Sequence, residues 1–497
     1  MKKLLLSVLL PILPVVSMAA EKPNILWIFP EDLSPFMGCY GDEINAGHTP
    51  AIDALAADGV LFERAYVTAP VCSASRSAII TGVMQTTTGT HQHRSSRAAK
   101  GVVPGEARIY LPEGMQTIPE LMKGAGYFTF NAGKDDYNFH YDRRALYDTG
   151  TPDKYETGEN GWQGNKGINK SGWKTGAWND RKDKSQPWFG QIELKGGKGG
   201  EKYAREGELL PADAVPLPAY FPNIPSIQAM WTRHYNAVRG TDAQVASIIE
   251  ALKRDGEYEN TIIFFFSDHG SNTSLRHKQF CYEGGLHIPL IIAGKHVKLE
   301  AGRIIKDLVS SLDISATTLA FGGAEMPGYL EGRDLFADDY EPREFVVSAR
   351  DRCDFTIDRT RAVTSQQYSY LRNYMPERPM LQPQYRDGNA DMKAMRKAHA
   401  DGTLNEYQEA HWFGERPEEE LYDLEADPLQ MNNLAENSEY KSMLDQHRKV
   451  LAEWTAETDE KGQYPEAAEK LKGTYDLWKK GGTFEKGYVN PEYDVFR

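Results

Sequence analysis

The chain has 497 residues, more than one simple core requires, so we expect a large domain accompanied by a smaller one. It carries 57 Lys and Arg against 71 Asp and Glu, and this formal charge of -14 disfavours non-specific binding to nucleic acid or anionic membranes. Four cysteines are too few for a disulfide framework.

Residues 1–20 have the pattern of a secretory signal peptide. Two lysines after the first methionine precede an apolar run over residues 4–16, and small residues follow it. This run is too short to span a membrane, and no later apolar run is long enough. The sequence therefore predicts a soluble exported protein, periplasmic in a bacterium, in which one disulfide could join two of Cys39, Cys281 and Cys353.

Two continuous apolar runs predict strands that are buried on both faces of a parallel sheet, at residues 24–29 (NILWIF) and 261–266 (TIIFFF). An acidic pair, Glu-Asp at 31–32, follows the first run. Ser-Asp-His-Gly at 267–270 follows the second. Open α/β sheets build their sites at the carboxyl ends of their strands, so we expect these side chains to meet there.

Helices and strands alternate between and beyond these two strands. The periodicity predicts helices at 50–58 and 229–253, and strands at 127–131 and 289–292. This alternation predicts an α/β fold with a doubly wound, mostly parallel sheet.

The stretch from 148 to 208 is rich in Gly, Lys, Asp and Trp and has little periodicity. We interpret it as a long substrate-facing insertion. Its four tryptophans are costly to leave in solvent and can stack on sugar rings, although packing of the loop onto the body remains an alternative: Trp162, Trp173, Trp178 and Trp188.

The chain changes character after about residue 344, where charge becomes denser and apolar runs become shorter. A helix is predicted at 440–455, after the stretch 419–428. We therefore divide the chain into a main α/β domain, 21–344, and a smaller C-terminal α+β subdomain, 345–497.

Cys72 opens the motif Cys72-Ser73-Ala74-Ser75-Arg76. A free cysteine is most often a small buried hydrophobic residue. However, a cysteine with Ala or Pro two positions on and Arg four positions on resembles the signature of type I sulfatases, whose nucleophile is converted to formylglycine. The metal, lysine and C-terminal motifs of that family follow in the expected order, so the resemblance covers nearly the whole chain and implies an alkaline-phosphatase-like fold.

The resemblance implies a defined chemistry for residue 72. A formylglycine hydrate is a geminal diol: one hydroxyl attacks sulfur, and the other expels sulfate as the aldehyde re-forms. A position at the start of a helix would direct backbone N–H groups and the positive helix end towards the anion.

The resemblance also implies one divalent metal. Three carboxylates favour Ca²⁺, whereas the nitrogen ligand leaves Mg²⁺ or a transition metal open. The first acid is Glu where the family usually has Asp, and a histidine stands where Asn is frequent. The implied ligands are Glu31, Asp32, Cys72, Asp268 and His269.

Three cations match family motifs and would surround the sulfate: Arg76, Lys134 and Lys278. The family's usual leaving-group histidines are missing from their positions, and Asp136 occupies one of them. Another residue has to protonate the leaving group. We rank His91 first. His93 remains an alternative, and so does Lys195 or Lys198 if burial and the metal depress the pKa of the lysine.

Residues 215–222 and the following helix, with His234 and Asp242, look most similar to the heparan N-sulfatase-like branch, whose members act on sulfated sugars. Four arginines form either a subsite wall or a salt-bridged surface: Arg350, Arg352, Arg359 and Arg361.

We expect an exported enzyme that hydrolyses the sulfate esters, or the N-sulfate, of a sulfated oligo- or polysaccharide. A formylglycine-generating enzyme would have to mature it. The alternatives are a phosphodiesterase or phosphonate monoester hydrolase of the same superfamily, and a non-catalytic sugar-binding protein.

Overall fold

The computed structural model of the protein describes residues 22–94, 109–149, 176–272, 275–479, 484 and 490–496. The predicted signal peptide, 1–20, lies outside these ranges, as do Trp162 and Trp173. Within them, no helix combines the length and the apolarity that crossing a bilayer requires.

Seven strands of the described chain form a central sheet: β1 (Asn24–Pro30), β2 (Gly59–Tyr66), β3 (Phe128–Ala132), β4 (Trp188–Leu194), β5 (Thr261–Phe266), β6 (His287–Ala293) and β7 (Arg303–Ser310). Their order is β3-β4-β1-β5-β6-β2-β7. Only β6 runs antiparallel to its neighbours, β5 and β2. The predicted mostly parallel sheet is confirmed.

The helices of the described chain are α1 (Pro50–Ala57), α2 (Cys72–Thr81), α3 (Gln85–Thr88), α4 (Ile118–Gly124), α5 (Arg143–Leu146), α6 (Pro225–Arg254), α7 (Glu283–Leu286), α8 (Ser311–Gly322), α9 (Ala390–Ala400), α10 (Glu406–Phe413), α11 (Lys441–Thr458) and α12 (Ala468–Trp478). Short 3₁₀ helices connect them, of which Gly196–Lys198 is important for the site.

Helices cover both faces of the central sheet. Alternate residues of β1 enter two separate apolar clusters, because successive side chains of a strand point to opposite faces. Trp27 packs in one cluster with residues of α2, α4 and α8, and Leu26 packs in the other with residues of α1 and α6. The fold is therefore doubly wound, as predicted.

The prediction of a substrate-facing loop over 148–208 is wrong for part of 176–208, the portion at its C-terminal end that the structure describes. Residues 188–194 form β4, which pairs with β1 and β3 inside the sheet. Trp178 and Trp188 are fully buried and stacked on each other, with ring centroids 5.6 Å apart. Their indole N–H groups donate to Asp255 and Glu257. Both tryptophans are core residues, and stacking on sugar rings is excluded for them.

Glycine is required at position 190 because Phe130 lies opposite it in the β3–β4 register. A Cβ at Gly190 would stand 2.0 Å from the Phe130 ring. We expect Gly190→Ala to lower the free energy of unfolding by about 1–3 kcal/mol, measured by urea denaturation.

Gly124 is the matched control, since a Cβ there meets no atom within 4 Å and the residue ends an exposed turn of α4. Gly124→Ala should stabilise the fold by about 0.4–1 kcal/mol, because alanine lowers the conformational entropy of the unfolded chain. Equal effects of the two substitutions would contradict the proposed clash.

A second, antiparallel sheet of four strands follows: β8 (Val346–Arg350), β9 (Thr360–Thr364), β10 (Tyr368–Asn373) and β11 (Glu419–Asp423). Its order is β11-β10-β9-β8. Residues of β9, β10 and β11 pack with Leu444 and Leu451 of α11. The predicted α+β character is confirmed, whereas the boundary at 344/345 stays a prediction, because Val346 and Ala362 share the apolar cluster of the large sheet.

Candidate active site

The acids that follow β1 and β5 meet at one edge of the sheet because the two strands are parallel neighbours. The Asp32 N–H donates to Asp268 Oδ1 at 2.9 Å, and the Leu33 N–H donates to Ser267 Oγ at 2.9 Å. Asp32 has a φ of 54°, a left-handed conformation that is uncommon outside glycine. Such strained residues cluster at functional sites.

Cys72 is the first residue of α2, and all ten residues of this helix are buried. The helix ends at Gly82, whose φ of 69° fits the left-handed position that glycine commonly supplies there. Ser75 Oγ donates to the Asp268 carbonyl at 2.6 Å. The helix is thus attached to the loop after β5, with its N-terminus at the acids.

Four potential ligand atoms converge around Cys72. The donor atoms of Asp32, Cys72, Asp268 and His269 all lie within 4.8 Å of one another, and all four residues are buried. His269 Nδ1 lies 2.7 Å from the Gly270 carbonyl oxygen. An Nδ1–H that donates there leaves the Nε2 lone pair directed at Cys72 Sγ, 3.2 Å away. Two carboxylates, an imidazole nitrogen and residue 72 form a donor set that suits a divalent cation.

Glu31 lies beside this group of four. Its Oε1 accepts hydrogen bonds from Lys134 and Lys198 and lies 3.6 Å from an Arg76 nitrogen. Burial raises the pKa of Glu31, but the two lysines and Arg76 outweigh burial and hold the pKa well below its usual value. Glu31 therefore holds the side chains of Lys134, Lys198 and Arg76 in the described geometry.

Three lysines surround the thiol. Lys278 Nζ lies 3.0 Å from Cys72 Sγ and 3.1 Å from Asp32 Oδ1, and Lys198 Nζ lies 3.6 Å from the sulfur. Burial raises the pKa of the Cys72 thiol, but Lys134, Lys198 and Lys278 together hold it well below its usual value. The site thus stabilises negative charge at residue 72.

The lysines differ in their own pKa values. Burial lowers the pKa of Lys134 to about 8. Burial also acts to lower the pKa of Lys198, but Asp32, Cys72 and Glu31 outweigh it and hold the pKa well above its usual value. Lys198 therefore remains charged in the described geometry.

Arg76 holds the carboxylate of Asp268. Its Nε donates to Asp268 Oδ2 at 2.8 Å, its Nη1 donates to the Lys134 carbonyl at 2.9 Å, and its guanidinium lies 4.4 Å above the Phe29 ring. The arginine of the sequence motif connects α2 to the segments after β3 and β5.

The sulfatase family model matches residues 23–324, more than half of the chain. This chain belongs to the sulfatase family. An ulvan-active sulfatase from Formosa agariphila is 31% identical to it over 476 residues, which cover 90% of this chain and 77% of the relative. The sequence-based assignment to sulfuric ester hydrolases is confirmed.

Two solved structures share the fold. A 2-O GAG sulfatase has a TM-score of 0.62 at 20% identity, covering 90% of this chain and 94% of its own. The phosphonate monoester hydrolase of Agrobacterium radiobacter has a TM-score of 0.56 at 18% identity, covering 88% of this chain and 96% of its own. At these identities the similarity concerns the fold alone.

In this sulfatase the two histidines after α3 do not contact Cys72 among the described residues. Burial lowers the pKa of the His91 imidazole. Four charged groups also shift this pKa: Asp351, Arg361, Glu466 and Glu460. His93 Nδ1 instead lies 2.7 Å from Ser73 Oγ. Of the alternatives from the sequence, Lys198 rather than Lys195 reaches the thiol.

Sequence reasoning missed Glu193 of β4 in this sulfatase. Its carboxylate accepts from the Lys134 N–H and lies 3.8 Å from an Arg76 nitrogen. Burial, together with Glu31, raises the pKa of Glu193 to about 8. The available signal was an acid near the end of a run that is apolar apart from Gly190 and Gln191, which is visible only once 188–194 is recognised as a strand.

His234 and Asp242 of α6 hold neighbouring segments of this sulfatase. His234 Nε2 accepts from the Ser34 N–H at 3.3 Å, and burial lowers the pKa of its imidazole to about 3. Asp242 Oδ1 accepts from the backbone N–H groups of Ala51 and Ile52, at 2.8 and 2.9 Å, at the start of α1. His234 thus supports the loop after Asp32.

Of the two interpretations of the four C-terminal arginines, the structure favours internal ion pairs over a subsite wall. Each forms an ion pair with an internal carboxylate, and three of the four are buried. The pairs are Arg350–Asp358 at 3.1 Å, Arg352–Glu466 at 2.6 Å, Arg359–Glu460 at 2.8 Å and Arg361–Asp351 at 3.0 Å. The disulfide that the sequence left possible is also absent, since all four cysteines are free thiols.

Proposed function

We propose that this sulfatase is an exported, periplasmic enzyme that removes sulfate from a sulfated polysaccharide through residue 72, converted from cysteine to formylglycine. The observation that carries the proposal is a buried thiol at a helix N-terminus that Lys278 and Lys198 contact and whose pKa Lys134 also lowers, with the two carboxylates of the four-donor group within 4.8 Å. The name of the ulvan-active relative supports a polysaccharide substrate.

A divalent metal fits the four-donor group. Asp32, Asp268, His269 and residue 72 would hold it, and the oxygen that replaces sulfur at position 72 makes the set harder and favours Ca²⁺, with Mg²⁺ as the alternative. When bound, the metal supplies positive charge that stabilises the deprotonated hydroxyl of residue 72 and an oxygen of the sulfate. Glu31, a ligand by resemblance, holds Lys134 and Lys198 beside it.

The chain's own residues bind and orient the anion. Lys278 and Lys198 contact residue 72 and would bind the oxygens of a sulfate that approaches it, and Lys134 adds a third positive charge. One hydroxyl of residue 72 loses its proton to water, and its oxygen bonds to sulfur as the bond from sulfur to the sugar oxygen breaks and the sugar oxygen takes a proton. The second hydroxyl then loses its proton to water and becomes the aldehyde oxygen as the bond from Cβ to the sulfated oxygen breaks, which releases sulfate. Addition of water to the aldehyde restores the diol.

We propose Lys198 as the proton donor to the sugar oxygen, since a divalent cation bound beside Asp32 would lower the Lys198 pKa from the raised value that the carboxylates and residue 72 give it. It contacts the thiol, and its side chain is 28% exposed, so it faces incoming substrate while His91 does not. We expect Lys198→Ala to lower kcat for a sugar sulfate by roughly 10²- to 10⁴-fold, because general-acid catalysis contributes on this scale. An aryl sulfate with a good leaving group should lose far less. Steady-state kinetics on both substrates measure the difference.

His91→Gln is the control for Lys198 and should leave both rates near those of the wild type. Equal losses on the sugar and aryl sulfates in Lys198→Ala would mean that Lys198 binds sulfate rather than protonating the leaving group. A large loss in His91→Gln alone would restore the sequence-based ranking.

The main test compares sulfate, phosphodiester and phosphonate monoester turnover by protein matured in its native host, since the phosphonate hydrolase shares the fold. We expect release of sulfate from a sulfated polysaccharide and a peptide mass at residue 72 that corresponds to formylglycine. Preferential turnover of the phosphorus substrates, or an unmodified cysteine with no turnover, would overturn the proposal in favour of a hydrolase of phosphorus esters or a sugar-binding protein.

A further inference from the structure

Arg94 lies beside the nucleophile helix and belongs to no motif used so far. Its φ of 60° places a non-glycine residue in the left-handed region, a conformation that the surroundings have to stabilise. The Arg94 N–H donates to Ser73 Oγ at 3.0 Å, and Ser73 directly follows the nucleophile. The backbone of Arg94 is thus fastened one residue away from Cys72.

The side chain of Arg94 is held from two directions. Its guanidinium lies 5.3 Å above the Tyr385 ring, and its Nη1 lies 3.2 Å from Asp354 Oδ2. The Arg94 side chain is 22% exposed, whereas that of Asp354 is 2% exposed. The guanidinium is therefore partly exposed above a buried carboxylate, whereas its Nε–H is buried and has no acceptor among the described residues.

Tyr385 connects this arginine to the rest of the site. It packs against a cluster of Ala69, Val71, Ala74 and Cys353, whose first three members flank Cys72 in the chain. The next residue, Arg386, donates to the carbonyls of Asn272 and Lys278, at 3.0 and 3.1 Å. One segment thus contacts both the nucleophile helix and the loop of Lys278, and it lies beyond residues 23–324, which the family model matches.

We propose that Arg94, supported by Tyr385, binds a second anionic group of the saccharide, a carboxylate or a sulfate other than the one that reacts. This inference rests on the proposed function. The reacting sulfate already has three lysines, whereas Arg94 stands outside that cluster with a partly exposed guanidinium that Asp354 holds along one edge. A planar guanidinium suits bidentate binding of either anion. A chain with a net charge of -14 also needs local cations to hold a polyanion.

Kinetics of Arg94→Gln on four substrates test the proposal: an aryl sulfate, a monosulfated neutral disaccharide, the same disaccharide with a uronic carboxylate, and a disulfated one. We expect kcat/KM to fall roughly 10- to 100-fold on one or both of the last two, mainly through KM. The first two should be unchanged. The substrate that loses activity identifies the anion.

Three variants serve as comparisons. Tyr385→Ala should reproduce the selective loss, and Tyr385→Phe, which keeps the ring, should not. Arg303→Gln removes an exposed arginine at the start of β7 and should change nothing. Calorimetric binding of a carboxylated oligosaccharide measures the role of Arg94 independently of turnover.

Two results would overturn the proposal. Equal losses on all four substrates would mean that Arg94 acts on the nucleophile through Ser73. Unchanged kinetics and binding would mean that Arg94 is structural. Absence of sulfate release by the wild type would contradict the proposed function, and the calorimetric measurement would still decide the role of Arg94.

Discussion

Cys72→Ala should lower kcat/KM for sulfate release by roughly 10⁴- to 10⁶-fold, the scale on which loss of a covalent nucleophile acts. The fold should survive, because alanine is compatible with the helix start and Lys278 keeps Asp32 as a partner. Released sulfate, measured by ion chromatography, and the melting temperature of the variant together test this expectation.

Cys281→Ala is the matched control because Cys281 is also a buried free thiol. Its removal leaves a small cavity and should cost about 1 kcal/mol of stability while activity is retained. Activity in Cys72→Ala that equals activity in Cys281→Ala would reject residue 72 as the nucleophile.

Asp268→Asn should reduce bound metal from about one ion per chain to a small fraction, and should lower activity by more than roughly 100-fold. Substitution of residues that only support the ligands already lowers metal affinity or activity by about 10- to 100-fold in other metal sites. Asp268 is both a donor in the four-residue group and the partner of Arg76. Metal content by mass spectrometry measures the first effect without reference to catalysis.

Asp313→Asn controls for the loss of a buried carboxylate. Asp313 caps α8 and accepts from Arg343 Nε at 3.0 Å, so its replacement should cost about 3 kcal/mol of stability and leave metal content unchanged.

Chelation of the wild type should abolish activity, and later addition of Ca²⁺ or Mg²⁺ should restore it with the ion that the site prefers. Undiminished metal binding by Asp268→Asn would contradict the assigned ligands.

The sequence predicted the centre of the fold because the signals there are local. Residues 24–29 and 261–266 are apolar without interruption, and the structure has strands at Asn24–Pro30 and Thr261–Phe266. β4 was missed because its apolar run contains Gly190 and Gln191 and follows a polar, aperiodic stretch. Gly190 belongs there only because Phe130 from β3 fills the space above it, a contact between segments far apart in the chain.

The site was predicted in part for the same reason. Cys72, Arg76 and the acids after the two strands follow from motifs with fixed spacing. His91 is predicted as the proton donor because it follows the nucleophile helix closely in sequence. The chain turns at Gly89, which has a φ of 75°, and His91 therefore lies among charged groups of the C-terminal region. Lys198 reaches Cys72 only because β4 delivers it to the carboxyl edge of the sheet.

If residue 72 is converted to formylglycine as proposed, its complete burial sets an order of events in biogenesis. Its side chain has no accessible surface, and every residue of its helix is covered. Any enzyme that oxidises this thiol has to act on a nascent or unfolded polypeptide, before the helix docks on the sheet. Protein that folds in a host without that enzyme keeps its sulfur, and later exposure to the oxidase should not rescue it unless the chain is first denatured.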